Sequence, residues 1–152
     1  MPGYRQHISF GFLCSCLLLT CFSLVSFSFP SFIEWSICTL LGSLFPDIDI
    51  KSKGQSVFYT LFFVLLVFMV LSQKWLQASL LSILSCVPIL SKHRGIFHNF
   101  WFIATLIALL LALIKYAYPC YYTLVYYDAL FFMLGVFSHL LLDKGFLKTI
   151  KL

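Results

Sequence analysis

Charge is what this chain has least of. Its 152 residues include 10 Lys and Arg and only 5 Asp and Glu, 10% in all, against about 25% in an average soluble domain. Hydrophobic residues make up 62% and aromatic ones 19%, and the mean hydropathy is +1.02. Polar surface is too scarce to clothe a compact domain in water, so a water-soluble globule is excluded and lipid is the solvent for most of the chain. Length removes a further class. A crossing helix takes about 20 apolar residues, so several crossings leave no room for a separate soluble domain. Chemistry has to sit in the membrane or at its edge.

Paired cysteines at metal-site spacing are also lacking. The six Cys (14, 16, 21, 38, 86 and 120) form no Cys-x-x-Cys pair, and five of them lie within apolar stretches. There, Cys packs as a small hydrophobe, which argues against a thiolate zinc site or a disulfide framework. The apolar/polar alternation of a barrel strand is absent, as are internal repeats, low-complexity linkers and charge runs. Backbone polar groups in lipid must bond internally, so the expected fold is all-α: one membrane-embedded domain over residues 1–152, a bundle of about six transmembrane helices with short loops.

The apolar runs predict spans at about 8–29, 31–45, 55–73, 75–91, 97–114 and 124–142, with Pro30 closing the first and Pro46 the second. The first run is longer than the apolar core of a signal peptide, about 7–15 residues, and has no small-x-small cleavage site, so it reads as a signal anchor. Six crossings would put Arg5, Lys51, Lys53, Lys92, Arg94, Lys144, Lys148 and Lys151 on one side and only Lys74 and Lys115 on the other. The basic side is then cytoplasmic, with both termini on it. Trp35, Trp75 and the tyrosines from Tyr116 to Tyr127 would form an aromatic belt at the opposite interface.

The few polar groups are concentrated. All four His lie on the cytoplasmic side: His7 before the first span, His93 and His98 around the turn into the fifth, and His139 near the end of the sixth. Asp47 and Asp49 follow Pro46, and Asp143 follows His139, while Glu34 and Asp128 fall on the other side. Seven imidazole or carboxylate groups on one face are enough for a one- or two-metal centre. His139 and Asp143, at i and i+4, project from one helical face. Asp47 and Asp49, at i and i+2 after a proline, would point the same way from an extended segment. Gly95 suggests a turn that leaves His98 at the start of the next helix. Mixed imidazole and carboxylate ligands suit zinc, manganese or iron better than the oxygen-only shells of calcium or magnesium.

Four pieces in this order, His7, Pro46-Asp47-Ile48-Asp49, His93-Arg94-Gly95-Ile96-Phe97-His98 and Ser138-His139-Leu140-Leu141-Leu142-Asp143, resemble the bacterial YdjM-like family of LexA-regulated inner-membrane proteins, described as membrane-bound metal-dependent hydrolases. The resemblance spans nearly the whole chain. It departs at Phe97, where Thr is typical, and at Asn99, where Ser is typical; the Asn99 amide can still hydrogen-bond. The resemblance implies an inner-membrane location, a divalent metal and a hydrolase with phospholipase-like activity.

The expected mechanism has one or two ions held among His7, Asp47, Asp49, His93, His98, His139 and Asp143. Asp47 or Asp49 acts as bridging ligand or base, and Arg94 clamps an anion. A site at headgroup depth meets the phosphodiester or ester bonds of lipids, so a lipid or lipid-linked phosphoester is the expected substrate. A small transporter is the less favoured alternative, because the predicted span centres carry no charge. A non-catalytic scaffold with a structural metal is another. The basic tail from Lys144 to Leu152 suits an anionic leaflet or a protein partner that the residues do not identify. No nucleic-acid partner is expected, since topology accounts for the net charge of +5.

Overall fold

A computed structural model describes residues 4–22, 29–49, 52–90 and 96–144, and every regular element among them is helical. The six α-helices are α1 (Tyr4–Phe22), α2 (Phe29–Leu44), α3 (Lys53–Leu71), α4 (Trp75–Leu90), α5 (Phe100–Ala117) and α6 (Tyr122–Lys144). Short 3-10 turns occupy Phe45–Asp49, Ile96–His98 and Pro119–Tyr121.

Local chemistry explains the boundaries. Pro30 lies at the second position of α2 and does not close α1 as expected. The first turn of a helix has no use for the N–H that proline lacks, so the residue opens a helix more readily than its place in an apolar run suggests. At α3, Ser52 caps the N-terminus by accepting from the Gln55 N–H at 3.0 Å. Asn99 caps α5 by accepting from the Trp101 and Phe102 N–H groups at 2.9 and 3.3 Å. Helix α3 ends with Gln73 in the left-handed region, φ 56°. The Gln73 N–H bonds Val70 O and the Lys74 N–H bonds Met69 O, the Schellman closure that usually recruits glycine.

Among the described residues, three stretches, Lys53–Leu71, Phe100–Ala117 and Pro119–Asp143, are long and apolar enough to cross a membrane. The six crossings expected from the sequence are thus matched by three helices on these grounds. Helices α2 and α4 have 16 residues each, about 24 Å at 1.5 Å per residue, short of a ~30 Å hydrocarbon core. Large apolar side chains point outward from α3 and α5, among them Phe63 (67% exposed) and Leu109 (61%). Apolar surface on this scale belongs in lipid. The chain is a membrane protein.

Helix α2 is packed most extensively against α6, and α1 lies against both. Glycine permits the α2–α6 approach. A Cβ on Gly42 would lie 2.0 Å from the Phe132 carbonyl oxygen, and one on Gly135 would lie 2.1 Å from that of Thr39. Without hydrophobic pressure between helices in lipid, such backbone proximity is how helices gain dispersion contacts. The hydroxyls buried in this seam bond within their own helices: Thr39 donates to Trp35 O, Ser43 to Leu40 O and Ser138 to Gly135 O. On the flanks, Leu44, Ile48, Phe58 and Phe97 form one apolar cluster and Ile103, Val136 and Leu140 another, with Phe45 packed against both.

Candidate metal centre

The polar groups meet at the end of the bundle where α1 and α5 begin and α2 and α6 finish. His7 comes from the first turns of α1, Asp47 from the 3-10 turn after α2, His98 from the 3-10 turn before α5, and His139 and Asp143 from the last turns of α6. Pro46 is buried and stops α2, so the chain folds into a tight turn that carries Asp47 back over the helix end. The segment is therefore not extended, as the i, i+2 reading of Asp47 and Asp49 supposed; proline fixes φ in a range that the 3-10 turn also uses. His98 likewise ends a 3-10 turn, one residue before the Asn99 cap, and does not open α5.

The three imidazoles are at most 3% exposed. His7 Nε2 lies 3.5 Å from Asp143 Oδ1, and His98 Nε2 lies 3.6 Å from Asp47 Oδ1 and 3.9 Å from Asp143 Oδ2. His139 Nε2 is 3.6 Å from both Asp47 Oδ1 and Asp143 Oδ2. The His7 and His139 rings stack with centroids 3.9 Å apart and planes at 16°. Neutral imidazoles tolerate this stacking better than two cations would. The donor atoms form two overlapping sets that could hold a metal ion, His7/His139/Asp143 and Asp47/His98/His139, each within 4.8 Å.

One ring decides how the cluster is read. His139 Nδ1 is 2.7 Å from the Ser43 carbonyl oxygen. A carbonyl only accepts, so Nδ1 carries the proton and donates, leaving Nε2 of the neutral ring as a lone pair. That nitrogen is buried and has no hydrogen-bond partner among the described residues. It faces two carboxylate oxygens at distances too long for hydrogen bonds. Acceptors converging on acceptors need a cation between them. Tetrahedral ligands at bonds of about 2.0–2.1 Å stand ~3.3 Å from one another, close to the spacings here. The residues present fit a divalent metal ion.

Of the seven ligands expected from the sequence, His7, Asp47, His98, His139 and Asp143 are brought together. His93 and Arg94 fall at 91–95, outside the described residues, and so does the Asp49 side chain. Sequence reasoning missed the Ser43 carbonyl and the glycines that deliver it. Small residues recur at 42, 43, 135 and 138, and Gly135, His139 and Asp143 share a four-residue spacing. That repetition was the available signal for a close crossing under the site.

Residues 1–148 match the family described as YdjM inner membrane protein. The chain belongs to the YdjM inner membrane protein family. No curated protein and no solved structure matches it. Within this YdjM protein the departure at Asn99 leaves the α5 cap intact, because Asn and Ser serve equally at that position. Phe97 is 5% exposed and packs edge-to-face on Phe45 and Phe102, so it joins the apolar flank beside His98.

Proposed function

We propose that this YdjM protein is a multi-pass inner-membrane hydrolase. Its His/Asp cluster holds one or two divalent ions, zinc, manganese or iron, at the cytoplasmic face, with both termini on that side. It cleaves a lipid or lipid-linked phosphoester. The observation that carries this reading is the lone pair of His139 Nε2, buried and aimed at Asp47 and Asp143. The sidedness rests on the basic residues that cluster at the segment ends nearest the site.

A divalent ion bound here supplies a water activated near neutral pH and a Lewis acid for the bond under attack. The chain does the rest. Ser43 holds the His139 tautomer, and the buried rings of His7 and His98 keep bulk water from the inner side. Asp47, with its side chain 20% exposed, is more accessible than Asp143, the other described carboxylate of the cluster. It takes the proton of the attacking water and returns it to the leaving oxygen. Asp49 is a further ligand or base, and His93 a further ligand. Arg94 provides a planar, permanently charged fork for phosphate oxygens. A site at headgroup level reaches a lipid phosphoester without extracting the lipid from the bilayer.

The test is hydrolysis of phosphatidylglycerol in mixed micelles. Wild type is expected to release product in a metal-dependent way, and His139→Ala to release none. Release that persists in metal-depleted protein, or in His139→Ala, contradicts the mechanism.

A further inference from the structure

A groove of about 460 Å³ lies between α5 and α6, against α2, on the lipid-facing wall of the bundle. Its volume is that of a small-molecule site, typically about 300–1,000 Å³. It is lined on α5 from Ile103 to Leu113 and on α6 from Val125 to Phe132, and Phe45 forms part of its wall. Three facts give it a direction. Phe45 stands two residues before Asp47, and Ile103 five residues after His98, so one end of the groove abuts the segments that build the cluster. The stretch from Ile103 to Leu113 rises about 15 Å at 1.5 Å per residue, half of a ~30 Å hydrocarbon core and hence the depth of one leaflet. Leu113 and Val125, at the other end of the lining, lie on the parts of α5 and α6 away from the cluster.

We infer that this groove holds one hydrocarbon chain of a phospholipid from the leaflet that faces the cluster, with the headgroup at the His/Asp centre and the chain running toward Leu113 and Val125. The inference rests on the lipid substrate proposed above and specifies how that substrate is held. Apolar walls give the chain dispersion contacts without hydrogen-bonding demands. Shape then separates this groove from the open faces of α3, where Phe63 and Phe68 are 67% and 60% exposed and meet bulk lipid.

The experiment uses the full chain in vesicles of phosphatidylglycerol doped with a phosphatidylglycerol that carries a photoreactive diazirine in its acyl chain, with crosslinks mapped by peptide mass spectrometry. Wild type is expected to be labelled preferentially on 103–113 and 125–132, above the level on the exposed face of α3. Ala129→Trp, which fills the groove from α6, is expected to lose that excess while keeping the wild-type metal content. Leu110→Trp fills it from a half-exposed position and is expected to do the same if the first variant fails to fold. Labelling spread evenly over α3, α5 and α6, or excess labelling that survives both variants, overturns the inference. Metal content on the same samples separates the two readings: metal with even labelling removes the groove alone. Groove labelling without metal removes the hydrolase alone.

Discussion

The Ser43 carbonyl oxygen and His139 Nδ1, 96 residues apart in sequence, are joined by a 2.7 Å hydrogen bond between buried atoms. The bond ties the end of α2 to the last turns of α6 and selects which nitrogen of His139 faces Asp47 and Asp143. Gly42 and Gly135 make it possible, since each lets a backbone carbonyl approach where a Cβ would otherwise stand. Helix packing and ligand chemistry are thus one arrangement here. Partners that orient a ligating histidine commonly tune metal affinity.

Gly135→Ala tests that link. Its Cβ would lie 2.1 Å from the Thr39 carbonyl and 2.7 Å from Ser43 N, and backbone cannot step aside as a flexible side chain would. The helices must separate, with an overpacking cost of about 1–3 kcal/mol. With the Ser43 bond stretched, metal affinity should fall about 10–100-fold. Thermal unfolding in detergent and metal titration check the two effects. A variant that melts lower yet binds metal as wild type does would uncouple the crossing from the site.

Metal retention should depend on pH in a definite sense. Ligation needs neutral imidazoles, so protons compete with the ion and affinity falls as pH falls. Each of the two ligand sets contains two histidines, with His139 common to both, so up to two protons compete for an ion in either set. Metal content should therefore fall as the pH is lowered and the imidazoles take up protons. Metal content after equilibration at a series of pH values reads this directly. Retention that is flat down to the carboxylate range would show that the histidines are not ligands.

The Asn99 cap gives a separable prediction about the turn that carries His98. Asn99→Ala removes the acceptor for the Trp101 and Phe102 N–H groups and should lower stability by about 1 kcal/mol, whereas Asn99→Ser should be nearly silent. Thermal melts of the two variants decide it. Equal losses would place the role of Asn99 in its amide nitrogen and not in capping.

Particular residues show what the sequence made legible. His139 and Asp143 could be paired from spacing alone, because a helix converts i and i+4 into one face. The family resemblance could be read because Pro46 to Asp49 and His93 to His98 are short contiguous motifs. The conformation around Asp47 was harder to read. Proline is compatible with both an extended segment and a 3-10 turn, and packing of Ile48, fully buried in the cluster with Leu44 and Phe97, selects the turn. Pro30 was misplaced for a related reason: it can follow one helix or begin the next. The Ser43 carbonyl was invisible, because a backbone atom leaves no mark in sequence until the register of α2 on α6 is known.

The proposed function turns on whether His7, Asp47, His98, His139 and Asp143 bind a metal ion together. Elemental mass spectrometry on protein purified in mild detergent without chelators, for wild type and for the double variant Asp47→Ala, His139→Ala, tests it most directly. Near-stoichiometric zinc, manganese or iron is expected in wild type and is expected to be lost in a folded double variant. Wild type that holds no metal even after reloading, or a double variant that holds as much as wild type, would contradict it.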